Sequence, residues 1–193
     1  PYGYAPRHDY ISLEDCLLAL DRLSEWNYHL LPVVTWIETC DIRSDPDYPW
    51  TPAPTPEQLH NLIWLSVIHG AKGIQWFHYF EPTPAENYAV MEQFLDDITL
   101  LAPAVLGPPQ TEKAVSHTEL GGGRVDVMSR YHNGRLVLLA GNVLEQAETV
   151  RFTVEDLAVG TEIEVFGESR TIAAGDGEFE DAFDPLGVHI YRI

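Results

Sequence analysis

Apolar positions in the first half of the chain recur at helical spacing, broken by two short apolar runs. Leu13, Leu17, Leu20 and Leu23 form one stripe, with Ser12 as a start signal and Asp15 three residues on, so a helix is predicted over Leu13–Trp26. Thr55-Pro56-Glu57-Gln58 supplies a cap, a proline at the first helical position and a glutamine placed for a capping box. The helix it opens runs through Leu59, Leu62, Ile63 and Val67 to about His69, where Gly70 ends it. Trp64, Leu65 and Ile68 make it apolar nearly all round, which predicts burial. A third start, Thr83-Pro84-Ala85-Glu86, precedes Tyr88, Met91, Leu95, Ile98 and Leu101, with Pro103 as its limit. The runs between the helices, residues 30–37 and 73–80, do not alternate, as expected of strands buried on both faces. Helix, strand, helix, strand, helix is the signature of a parallel α/β arrangement.

After Pro108-Pro109 the pattern changes to short β-rich runs at residues 113–118, 124–132, 135–143, 149–154, 162–166, 170–173 and 187–192. Asn133-Gly134 between two of them is a hairpin signal. Gly121-Gly122-Gly123 and Gly175-Asp176-Gly177 mark further turns. Roughly seven or eight strands in about eighty residues predict a small antiparallel β-sandwich. The chain therefore reads as two domains, 1–107 and 110–193. The first is too short to stand alone: two parallel strands do not make a sheet covered on both faces. A (β/α)8 barrel needs eight strands. Residues 1–107 are read as its last two strands and three of its helices, the rest coming from preceding chain or from another polypeptide.

Charge narrows the partners. The 193 residues hold 30 acidic against 11 basic side chains, a net charge of −19. Such a surface repels a phosphate backbone and an anionic membrane, so neither nucleic acid nor membrane is expected as a partner. A neutral sugar meets no such barrier. Cys16 and Cys40 have neither disulfide-framework nor metal spacing and read as free thiols. No apolar run reaches the roughly 18 residues of a membrane span, and no signal peptide is evident, which leaves the compartment open. The chain opens at Pro1, which fits a fragment, a processed product or a trimmed chain.

In parallel α/β folds, function collects at the C-terminal ends of strands. Glu38 closes the first strand and by period two shares a face with Trp36 and Val34. A carboxylate closing an apolar strand is costly to bury without partners, a cost more easily understood if the group is used; the alternative is a solvated or salt-bridged strand end. The loop that follows, residues 39–54, carries Cys40, Asp41, Arg43, Asp45, Asp47, Tyr48 and Trp50. Loops of that length inside a domain tend to be functional or disordered, and Arg43 is placed to keep Glu38 ionised. The second run ends in Trp76-Phe77-His78-Tyr79-Phe80. A sugar presents a flat C–H face for an indole and hydroxyls for polar groups, which Trp76 with His78 or Gln75 would supply. Tyr2, Tyr4, Arg7, His8, Asp9 and Tyr10 precede the first helix without a definite role. No HExxH pair, phosphate-binding glycine loop or GxSxG elbow is present, so no metal and no cofactor are expected.

Pro32-Val33-Val34-Thr35-Trp36-Ile37-Glu38-Thr39, Thr55-Pro56-Glu57-Gln58-Leu59, Leu62-Ile63-Trp64-Leu65 and His69-Gly70-Ala71-Lys72-Gly73-Ile74-Gln75-Trp76-Phe77 together resemble the end of the barrel in retaining TIM-barrel glycoside hydrolases, in particular the β-galactosidase-like clan. Glu168, Phe179, Asp181 and Val188-His189-Ile190-Tyr191 resemble the small C-terminal sandwich such enzymes often carry. The resemblance implies that Glu38 is the nucleophile and that Trp76 lines the sugar site. It also implies a departure, because the acid/base of that clan sits on a strand this chain lacks. Glu38 is thus the candidate catalytic residue. Trp76, His78, Trp36, Arg43 and Trp50 are the candidate substrate-binding residues. The expected partners are a carbohydrate substrate and the N-terminal barrel portion, in cis or in trans. The alternative is a non-catalytic carbohydrate-binding or accessory protein.

Overall fold

The computed structural model describes residues 13–41, 52–77, 83–107 and 113–193. Ser12, Arg43, Trp50, His78 and the aromatic segment before the first helix lie outside the described residues. The chain divides into two compact units, Pro1–Asp96 and Asp97–Ile193. It is mixed α and β, with three helices among the described residues and sheets in both units.

The first unit runs α1 (Leu13–Trp26), β1 (Val34–Glu38), α2 (Pro56–Ile68), β2 (Gly73–Phe77) and the start of α3 (Ala85–Val105). Helix α1 has the predicted bounds and buries Leu13, Leu17 and Leu20, while Leu23 is 45% exposed at its far end. Helix α2 begins with the expected capping box: the Thr55 hydroxyl accepts from Gln58 N, and the Gln58 side chain accepts from Thr55 N. Both contacts satisfy backbone donors that a helix start leaves open. Its residues from Asn61 to Ile68 are buried without a break, as the all-round apolar pattern requires.

Helix α3 corrects the sequence reading twice. It passes Pro103 and ends at Val105. A proline in the last turn forfeits one backbone bond without breaking a helix that is about to stop, and Leu106 N still donates to Ala102 O at 2.9 Å. Its buried side is Asn87, Phe94, Leu101, Ala104 and Val105, whereas Tyr88 and Leu95 of the expected stripe are 48% and 51% exposed. Asn87 shifts that face, because its amide is engaged beneath the helix.

Strands β1 and β2 pair in parallel, Val34 opposite Gly73 through Glu38 opposite Phe77. Strand β1 starts later than its apolar run, and Leu30 and Leu31 before it are 79% and 68% exposed, whereas β2 starts with its run at Gly73. The expectation of burial on both faces holds on one face only. Ile37 is fully buried, and Trp76 packs edge-on against Phe94 of α3 at 6.1 Å, which in turn meets Trp64 of α2 at 5.1 Å. The opposite face, with Val34 and Trp36, is open.

The second unit holds two antiparallel sheets. One has the order β4 (Val125–His132), β5 (Arg135–Asn142), β10 (Val188–Arg192), β7 (Glu162–Val165), β8 (Arg170–Ala173). The other has β3 (Val115–Glu119), β6 (Glu148–Val154), β9 (Glu178–Phe183). Leu136, Leu138 and Tyr191 from the first sheet and Val150, Phe152 and Phe179 from the second share one core. Asn133 and Gly134 turn β4 into β5 with φ of 50° and 79°, the left-handed pair that a two-residue hairpin demands. In the Gly121-Gly122-Gly123 turn the backbone wraps a carboxylate: Glu148 accepts from Gly121 N at 2.6 Å, from Thr149 N at 2.8 Å and from Gly123 N. Burial pushes the Glu148 carboxyl up, but these donors outweigh it and hold it below its ordinary value. A Cβ on Gly121 would lie 2.7 Å from Glu148 Oε1, so the glycines are there for close approach.

Strand β9 is absent from the runs read in the sequence. Its alternation is hidden because Asp181 sits on the face of Phe179 and Phe183. The carboxylate is tolerated there by its partners. Arg170 grips it with both terminal nitrogens, at 3.0 and 2.7 Å, and the Tyr191 hydroxyl donates to it at 3.0 Å. Burial and the Asp181 carboxylate push the Tyr191 phenol well above its usual range, while the bond to Asp181 raises Arg170 further. Glu168 and His189 complete the group. It ties β8 to β9, the edge strands of the two sheets.

Asp181→Ala should lower the unfolding free energy by about 2 kcal/mol, since it removes the partner of a half-buried arginine and orphans the buried Tyr191 hydroxyl. Arg151→Ala, which breaks the exposed Arg151–Glu180 pair, should have a much smaller effect. Urea titration of both variants checks the contrast; equal losses would contradict the role given to Asp181.

Candidate functional site

The site begins with the ladder register. Partners across a sheet point to the same side, so Glu38 shares its face with Trp36, Val34, Gln75 and Phe77. Ile37 and Trp76 belong to the face that meets the helices. The structure brings Trp36 and Glu38 together on one side and puts the Trp76 ring on the other. Along the Glu38 face, exposure falls steeply from Trp36, 55% exposed, to Glu38, 4% exposed. An accessible indole thus leads to a buried carboxyl at the strand end.

Glu38 Oε1 is buried and has no hydrogen-bond partner among the described residues. Burial pushes the carboxyl up to about 7, and the Asp41 carboxylate adds to the rise. The backbone next to it is firmly held. Thr39 N and Thr39 Oγ1 both donate to the Phe77 carbonyl, at 3.2 and 3.1 Å. With its only proton used there, the Thr39 hydroxyl accepts from Thr83 Oγ1 at 2.8 Å. From the first turn of α3, Asn87 Nδ2 donates to Thr39 O at 3.1 Å and to Pro54 O at 3.0 Å. The sequence reading missed Thr39, Thr83 and Asn87. An asparagine inside an apolar helical stripe was the available signal, because a polar residue on a buried face must have a use. Cys40, also buried, has its thiol 3.9 Å from the Phe77 carbonyl and forms no disulfide, nor does Cys16.

A carboxyl in this setting is able to act in either protonation state near neutral pH. As a carboxylate it requires a donor or a cation at Oε1. Among the described residues no group of three or more His, Cys, Asp or Glu is arranged to hold a metal ion, and no helix is long and apolar enough to cross a membrane.

No protein-family model and no curated protein matches the chain. Solved structures do. An α-amylase from Geobacillus thermoleovorans complexed with acarbose matches with a TM-score of 0.58 at 12% identity, over 93% of this chain and 42% of that one. An Anoxybacillus α-amylase matches with 0.54 at 12% identity, over 93% and 41%. A Bacteroides fragilis protein described as an α-galactosidase/melibiase matches with 0.54 at 11% identity, over 82% and 33%. The chain thus has a fold found within glycoside hydrolases and spans less than half the length of these matches.

The raised carboxyl has a consequence for stability. A group whose folded pKa lies above its unfolded value adds no penalty below about pH 4.5, and destabilises the fold as pH rises through about 7. Between pH 4 and pH 8.5, the difference in unfolding free energy between Glu38→Gln and the parent chain should move in the variant's favour by about 3 kcal/mol. Denaturant titrations at the two pH values measure it. A difference that does not change with pH would mean that Glu38 is not buried as described.

Proposed function

We propose that the chain is part of a retaining glycoside hydrolase, with Glu38 as its nucleophile. The observation that carries the reading is a buried carboxyl with an unpartnered oxygen closing a parallel strand, in a chain whose fold recurs in glycoside hydrolases. In this reading residues 1–107 are the last two strands of a (β/α)8 barrel with their helices, and residues 110–193 are a β-sandwich. The open face of β1, with Val34 and Trp36, together with the exposed Leu30 and Leu31, supports further strands as its cover. Those strands, in cis or in trans, bring the second carboxyl.

The reaction follows from the geometry that two carboxyls require. Glu38 attacks the anomeric carbon while a carboxylic acid outside this chain, about 5–5.5 Å away, protonates the departing glycosidic oxygen. A glycosyl ester forms on Glu38, and water hydrolyses it with the second group now acting as base. Trp36, on the Glu38 face, is the indole on which the sugar's C–H face stacks. Trp76, engaged with Phe94, is assigned to packing. Arg43, Trp50 and His78 flank the strand ends in sequence and are the residues from which hydroxyl contacts and a cation for Oε1 are drawn. That cation matters, because a nucleophile must be ionised and burial opposes ionisation.

The carboxyl at about 7 favours a second reading, in which Glu38 is the general acid/base and its partner the nucleophile. Aryl-glycoside hydrolysis by the complete protein, with and without Glu38→Gln, tests both. The substitution should lower turnover by about 10⁴-fold, and a mechanism-based fluoro-sugar should label Glu38. Label on another carboxyl would transfer the nucleophile's role to that residue. Full activity in Glu38→Gln would end both readings and leave carbohydrate binding without turnover.

A further inference from the structure

We propose that Asn87 is the positioning residue for Glu38, because one buried amide holds both the peptide that follows the carboxylate and the far end of the loop behind it. Asn87 is fully buried, in the first turn of α3. Its two amide protons go to the carbonyls of Thr39 and Pro54. Thr39 is the residue after Glu38, and Pro54 immediately precedes the cap of α2. Residues 39 and 54 are the two ends of the long loop, so this side chain closes the loop at its base and pins the carboxylate-bearing strand end to α3 in the same act.

The choice of residue follows from the donors required. Both targets are carbonyls, so the side chain must offer two protons from one short, planar group, which asparagine does. Its own Oδ1 is left buried without a partner among the described residues. An apolar residue here would instead orphan two backbone carbonyls. The clamp has a second arm in the Thr83–Thr39–Phe77 chain of hydrogen bonds, which fastens the same peptide to the end of β2. Glu38 itself has no such tether at Oε1. Its carboxyl is therefore placed by the backbone it stands on, and that backbone is placed by Asn87 and Thr39. A displacement of about 1 Å in a reacting group is enough to cost on the order of a hundredfold in rate.

The consequence for turnover rests on Glu38 being the reactive carboxyl, but the direct readout does not. Carbon-13 carboxyl NMR of the intact chain, with the Glu38 signal identified by its loss in Glu38→Gln, gives the Glu38 titration midpoint in each variant. The parent chain should titrate near 7. Asn87→Ala should release the strand end to water and lower the midpoint by about one unit or more. Asn87→Ser, which retains one donor, should lie between. Thr39→Ser should keep the parent midpoint and Thr39→Val should not. Leu95→Ala, exposed on the same helix, should change nothing. Where Asn87→Ala does not fold, the Ser variant and the Thr39 pair decide. Folded Asn87 variants with the parent midpoint would overturn the proposal, as would a parent midpoint near 4.5. In the complete enzyme Asn87→Ala and Thr39→Val should lose kcat about 10–100-fold with KM little changed, and Leu95→Ala should not. If Glu38→Gln is fully active while the midpoints move as expected, the nucleophile assignment fails and the positioning role stands.

Discussion

The parallel register of β1 and β2 is the constraint on which the site depends. Pairing Glu38 with Phe77, and Ile37 with Trp76, decides which side chains go to the helices and which go to the open face. A slip of one residue would exchange the two sets. The slip is opposed from both ends of the ladder: Lys72 N donates to Val33 O at 2.8 Å at the start, and Thr39 N to Phe77 O at 3.2 Å at the finish. Between them, Gly73 leaves the space that the Val34 side chain occupies, since a Cβ there would come within 3.1 Å of it. The aromatic row Trp64, Phe94 and Trp76 then fixes the helix-facing side by packing. The other face has no comparable filling among the described residues, and it carries the exposed Trp36 and the buried Glu38.

The second unit solves a different problem with polar groups. Two sheets of five and three strands leave edges on both, and an edge is a liability unless it is covered or charged. Arg170 on the β8 edge and Asp181 on the β9 edge are joined to each other, with Glu168, just before β8, and His189 of the inner strand β10 completing the group. The Gly121–Gly123 turn uses the same economy: one carboxylate, Glu148, satisfies several backbone donors that a tight turn cannot pair within itself. Both devices absorb acidic residues of a chain with net charge −19 into structural work.

What could be read in the sequence was local. The capping box at Thr55, the bounds of α1, the bounds of β8 and the Asn133-Gly134 hairpin are set by neighbours within a few residues. Glu38 at a strand end and Trp36 on its face followed from period two alone. What could not be read depended on partners far along the chain. Strand β9 looked like an acidic loop because Asp181 needs Arg170 and Tyr191 to be admitted inward. The buried face of α3 was misjudged because Asn87 is held by carbonyls 33 and 48 positions away. Trp76 was read as lining a sugar site from its place near the end of the second strand and from the family resemblance, and the register turns its ring toward Phe94.

These long-range contacts bear on how the carboxyl is used. A buried acid with every oxygen satisfied is a structural element, and its cost is settled within the fold. Glu38 differs: Thr39, Thr83 and the Asn87 amide protons form bonds among themselves, while Glu38 Oε1 has no partner among the described residues. Adding Asp41 raises the cost of ionising it further. A fold that places several buried hydrogen bonds in the peptide beside an acid, and none among the described residues at its Oε1, has fixed its position while leaving its charge to be set from outside. The face from which that charge can be set is the open one, where Trp36 lies.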